Sequence, residues 1–153
     1  MLLKIGFLLM KECYLTICLI FLTVGLAQAQ FSPETGSAER KAIVDGLRVV
    51  VQSELKKPVM FGDVRIKVKG GWAVVETATP LKPDLTPFDY RGSVSSYAKC
   101  INRGGDDCGD PQYSAILRKT GSKWKVVKSG SGATDVWIGY ACSKIRGCPR
   151  ELQ

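Results

Sequence analysis

Ser96-Tyr97-Ala98-Lys99 spells SxxK, a pattern that sets a serine nucleophile one helical turn from a lysine, and Lys119-Thr120-Gly121 spells KTG, its usual strand-borne companion in acyl transfer. Such chemistry needs the serine at the head of a buried helix and the KTG strand beside it. Here SxxK falls in a glycine-flanked stretch and KTG at a hairpin tip, so the match reads as accidental. The chain has no histidine, which excludes Ser-His-Asp and Cys-His nucleophile systems and weighs against a catalytic metal. Asp106, Asp107 and Asp110 in "GGDDCGDP" could offer oxygen to calcium, but the distal bidentate glutamate of an EF-hand is missing and a solvated loop explains them equally. No catalytic residue, cofactor or metal is therefore expected.

The remaining chemistry is charge. Lysine and arginine total 22 against 14 acidic residues. Arg65, Lys67, Lys69, Arg118, Lys123 and Lys125 alternate with apolar residues along two hairpins, so one sheet face would carry them together with Trp72. Such a face suits an anionic partner, and equally it is the wet side of a half-buried sheet. Lys67, Lys69, Lys123 and Lys125 are the candidates on it. A second candidate surface is the stretch 80–111, which holds four of the seven prolines and offers Tyr90, Arg91, Tyr97 and Lys99. Connections of that length are usually functional or disordered.

The segment "MKECYLTICLIFLTVGLAQAQF" reads as a signal peptide: Lys11 precedes an apolar run from Tyr14 to Leu26, and Ala27-Gln28-Ala29 forms an A-x-A cleavage site. Residues 1–29 are thus the expected leader, with translation starting at Met10. The run falls well short of the roughly 20 apolar residues a membrane span needs. Removing 29 of 153 residues leaves 124, with net charge +7 and four cysteines, Cys100, Cys108, Cys142 and Cys148. An even count in an exported chain reads as two disulfides, and a periplasmic or secreted location follows. Three pairings are possible. Cys100 with Cys108 and Cys142 with Cys148 are favoured, because each closes a short loop containing glycine. Zinc is the rival reading of four cysteines, disfavoured by spacings of eight and six in place of CxxC and by the absence of histidine.

The elements that must position these groups begin after a flexible start at 30–36. From Ser37, a plausible cap, Ala38, Ala42, Ile43, Leu47, Val50, Val51 and Leu55 recur at helical spacing, and Lys56-Lys57-Pro58 ends the pattern. Gly46 inside this helix suits a close approach to a sheet. The Gly70-Gly71 turn sets Val68 opposite Ala73, Ile66 opposite Val75, Val64 opposite Thr77, Lys69 opposite Trp72 and Arg65 opposite Glu76. A second turn near Thr120 and Gly121 sets Leu117 opposite Trp124 and Ala115 opposite Val126. The tail from Thr134 and Asp135 reads as a short helix or an edge strand. A single α+β domain over 37–153 results: one long N-terminal helix on a four-stranded, mainly antiparallel sheet, with a long loop at 80–111.

The stretches "RKAIVDGLRVVVQSEL", "GGWAVVETA", "YSAILRKTGSKWKVV" and "GATDVW" resemble small exported proteins of the cystatin-like and NTF2-like roll. The resemblance implies a fold and no reaction, since those folds host enzymes, inhibitors and binding modules alike. The expectation is an exported, non-enzymatic binding protein, an inhibitor or immunity protein against a cell-wall hydrolase, whose partner is a protein or an anionic envelope component and not nucleic acid. A small-ligand carrier or pocket enzyme, and a structural envelope accessory, are the alternatives.

Overall fold

A computed structural model of the chain describes residues 29–152 apart from 91, 92, 94, 105–107 and 134. Residues 1–28 of the expected leader, Arg91, Asp106, Asp107 and Thr134 lie outside the described residues. Eight elements follow in order: α1 (Ala38–Leu55), β1 (Met60–Lys69), β2 (Trp72–Leu81), α2 (Ser96–Asn102), β3 (Tyr113–Thr120), β4 (Lys123–Ser131), α3 (Asp135–Ser143) and a 3-10 turn (Arg150–Leu152). The four strands make one antiparallel sheet in the order β1-β2-β3-β4.

Helix α1 is the longest described helix, at 18 residues. The Ser37 hydroxyl accepts from the Arg40 amide, satisfying a donor that the first turn leaves without an intrahelical partner. Lys56 closes the helix in a left-handed conformation, its amide donating to the Gln52 carbonyl. Ile43, Leu47, Val51 and Leu55 bury one stripe against Ile66, Val68, Ala73, Val75, Ala115, Leu117 and Trp124. Gly46 permits this approach: a Cβ there would lie 2.6 Å from the Trp124 carbonyl oxygen and 3.3 Å from Leu117 Cδ2. Residues 30–36, expected to be flexible, are tied to the edge of β1. Phe31 and Val68 exchange both backbone hydrogen bonds, at 3.0 and 2.8 Å.

The first hairpin pairs Val68 with Ala73, Ile66 with Val75 and Lys69 with Trp72, as its turn dictates. A bulge between Arg65 and Ile66 then shifts the ladder, so that Arg65 faces Thr77 and Val64 faces Ala78. The expected Arg65–Glu76 pair is thereby replaced. Arg65 donates to the Thr77 hydroxyl at 2.8 Å, and Glu76 takes the Lys67 ammonium at 2.5 Å. In the second hairpin the turn is Gly121-Ser122 and Thr120 faces Lys123, two residues from the expected register, so Leu117 meets Val126 and Lys119 meets Trp124. From Leu117 to the tip this slip of two preserves side-chain parity, but a bulge between Ile116 and Leu117 then sets Ala115 opposite Ser129, three residues from the expected Val126.

The sheet face away from α1 departs most from expectation. Trp72, Val74 and Ile116 are buried there beneath Ile138, Ala141 and Cys142 of α3 and Leu152 of the terminal turn. A second core thus replaces the open basic face. Two disulfides staple the outlying segments: Cys100–Cys108 anchors α2, and Cys142–Cys148 closes the C-terminal layer, with Cα separations of 5.6 and 5.5 Å. No described helix is long and apolar enough to cross a membrane.

Candidate functional site

The stretch 80–111 is not one irregular loop. Strand β2 runs to Leu81 and α2 occupies Ser96–Asn102, which leaves a tight projection between Leu81 and Pro87. Within it the Leu85 amide donates to the Lys82 carbonyl at 2.9 Å, closing a β-turn with Pro83 second in line. The Lys82 amide donates to the Thr86 carbonyl at 2.9 Å and seals the loop one residue further out. The Asp84 carboxylate accepts from both the Thr86 amide, at 3.0 Å, and the Thr86 hydroxyl, at 2.6 Å. The Thr86 hydroxyl and then its amide hold the Asp84 carboxyl below its ordinary range.

Leu85 sits at the head of this loop with φ of +63° and 63% of its surface exposed. A turn followed by a left-handed residue ordinarily takes glycine there, because a side chain in that region costs about 1–2 kcal/mol. Among the described residues only Lys56 and Leu85 carry side chains at positive φ, and Lys56 is explained by its helix cap. The loop therefore holds an exposed apolar side chain in a costly conformation, the kind of local strain that collects at functional sites.

Beside the loop lies a cleft of about 330 Å³ lined by Lys57, Pro58, Lys82, Pro83, Asp84, Phe88 and Asp89. Its floor continues inward as an aromatic chain. Phe88 lies 5.7 Å from Tyr90, and Tyr90 meets Tyr97 edge-on at 5.0 Å. Tyr90 is only 6% exposed and its hydroxyl donates to the Pro111 carbonyl at 2.7 Å. Burial, and then the neighbouring Tyr97, push its ionisation well above the usual tyrosine value. Tyr90 thus anchors the loop from inside the core and is not available as a contact residue, contrary to expectation.

The other expected contacts are dispersed. Tyr97 is half-buried, its amide donating to the Ser131 hydroxyl at 2.9 Å, while Lys99 is exposed in the last turn of α2. Lys67 is paired with Glu76, and Lys69 with Glu151 at 2.8 Å, so half of the expected basic cluster is neutralised. Lys123 and Lys125 are exposed beyond the edge of the second core, Lys125 facing Arg118, whose guanidinium lies 5.2 Å from the Trp72 ring. Ser96 and Lys99 share the short α2, whereas Lys119 of the KTG stretch is engaged 3.0 Å from Glu39. Leu85 escaped the sequence reading because nothing periodic marks it. The signal available was a lone leucine inside "KPDLTP", where two prolines and an Asp-x-Thr turn announce rigidity.

Compared with protein-family models, curated proteins and solved structures, the chain matches none.

Proposed function

We propose that this is an exported, non-enzymatic binding protein that occludes a partner's cleft with the loop 82–87, most concretely an inhibitor or immunity protein acting on a cell-wall hydrolase in the periplasm or outside the cell. The observation that carries this reading is Leu85, two-thirds exposed and held at positive φ by an internally hydrogen-bonded loop. A loop ordered in advance loses little conformational freedom on docking, which is what an occluding element requires. An apolar side chain at its head supplies the central anchor that such interfaces depend on. The two disulfides accord with an oxidising compartment.

The test is inhibition of purified muramidases, amidases and peptidases acting on peptidoglycan, followed by turbidity, with the parent chain and with Leu85→Gly. The variant keeps the backbone shape and deletes the anchor, so inhibition by the parent should fall at least tenfold in the variant. If the parent inhibits none of these enzymes, the hydrolase assignment fails; if Leu85→Gly inhibits as well as the parent, the loop is not the contact. The cleft of about 330 Å³ beside the loop favours a second reading, a small-ligand carrier, because it reaches the lower end of the volume range for such sites. Saturable binding of a small molecule that Phe88→Ala abolishes and Leu85→Gly leaves intact would select it.

A further inference from the structure

Helix α3 is pinned by its inner side, where Ile138, Ala141 and Cys142 are buried on the sheet and Cys142 is bonded to Cys148. Its outer side is oddly apolar. Val136 is 77% and Tyr140 62% exposed, and a spacing of four stacks them on one face. The Tyr140 ring is flanked by two ammonium groups, Lys128 at 5.9 Å and Lys144 at 5.5 Å. Neither lysine has an acidic partner among the described residues, and the same holds for Arg146 and Arg150 in the exposed segment that follows. The outward face of a globular helix is normally polar, and the second core prevents this helix from turning its apolar residues inward.

We infer that the outer face of α3 is a docking surface for an anionic lipid bilayer, with Lys128 and Lys144 at the phosphate level and Val136 and Tyr140 entering the boundary between headgroups and acyl chains. The charges are complementary to such a surface, which draws basic side chains within a Debye length. Tyrosine suits that depth because its ring is apolar and its hydroxyl polar. The exposed valine favours lipid over a soluble polyanion, since a hydrated glycan or nucleic acid gives an isopropyl group no apolar medium to enter. This surface is independent of Leu85, so either proposal can fail alone.

The experiment is co-sedimentation with vesicles of phosphatidylcholine alone and with 30% phosphatidylglycerol. All chains compared carry the same N-terminus, so that any affinity of residues 1–29 for lipid cancels. The parent should bind the anionic vesicles at least tenfold more tightly than the neutral ones. Lys128→Gln with Lys144→Gln should erase most of that preference. Val136→Ser with Tyr140→Ser, which keeps every charge, should also lower binding at least fivefold, and Leu85→Gly should change nothing. Equal binding to both vesicle types would overturn the inference. So would a serine double variant that binds like the parent, which would reduce the effect to general basicity, or capture of heparin with no capture of vesicles.

Discussion

Gly46 and Gly139 both lie in helices, yet alanine should stabilise at Gly139 and give no gain or a loss at Gly46. Helix propensity favours alanine over glycine by about 0.8–1.0 kcal/mol at either position. A Cβ on Gly139 meets nothing within 4 Å, so Gly139→Ala should gain about that amount. On Gly46 the new carbon would lie 2.6 Å from the Trp124 carbonyl oxygen, which belongs to backbone fixed in β4 and cannot rotate away. Opening that contact to an ordinary separation means lifting α1 by about half an ångström or more, and a gap of that size forfeits a quarter or more of each van der Waals well along the seam. Ile43, Leu47 and Val51, all fully buried, share that seam. Overpacking of this kind costs about 1–3 kcal/mol, which offsets or exceeds the propensity gain. Gly46→Ala should therefore fall below Gly139→Ala by about 1–3 kcal/mol. Urea unfolding with the disulfides intact, followed by tryptophan fluorescence, measures both variants on one scale, and the difference is meaningful if the two slopes agree. Equal gains in both variants would refute the claim that α1 rests on β4 through Gly46.

Three further outcomes are expected. At position 85 the ordinary ranking should reverse: Leu85→Gly should be more stable than Leu85→Ala by about 1 kcal/mol in the same urea assay, because only glycine enters left-handed backbone without penalty. The carboxyl of Asp84 sits below its ordinary value of 3.8, so its contribution to loop order is complete above the unfolded-state value and is lost as pH falls through the lower folded-state one; the protection of the Leu85 and Thr86 amides relative to the intrinsic exchange rate at each pH should hold at neutral pH and drop in that acid range, and Asp84→Asn, which keeps an acceptor oxygen, should remove the pH dependence of that protection. Burial raises the ionisation of both Tyr90 and Tyr113, the latter reinforced by Glu54, whose carboxylate accepts the Tyr113 hydroxyl at 2.9 Å; their stabilising effect is intact below pH 10.0 and lost as pH rises toward the folded-state values, so absorbance at 295 nm should show two tyrosines ionising only as the protein unfolds.

What could be read from residue order alone was whatever local rules decide. The stripe Ile43, Leu47, Val51 and Leu55 has one helical solution, and Gly70-Gly71 leaves its flanking residues little choice of register. "TGSK" admits two turns, so the register near the tip lies two residues from the expected one with Leu117, Trp124 and Val126 still sharing a face, and the bulge between Ile116 and Leu117 adds one more residue beyond it. The second core was hidden because its covering residues, Ile138, Ala141, Cys142 and Leu152, are distant in sequence and sit in a short tail. A signal for it did exist. "WAVV" and "AIL" are unbroken apolar runs, and strands covered on both sides lose their alternation. The apolar neighbours of Trp72 imply a covered face, against its expected place beside Lys69 on an open basic one. Tyr90 shows the opposite case: the proline and glycine around it are surface signals, yet its ring is buried beside Tyr97.

Trp72, Val74 and Ile116 have a lid whose residues, Ile138, Ala141, Cys142 and Leu152, all follow the four strands in the chain. Synthesis runs from the N-terminus, so β2 and β3 exist as a bare apolar sheet face until residues 135–152 arrive. The interval is a window of exposure for association between nascent copies. Packing of that lid closes the window, and the Cys142–Cys148 bond holds the lid's own segment together in the finished fold. A chain cut short after Ser131 would keep the whole sheet and its first core, and would display permanently the surface that the intact protein shows only in passing.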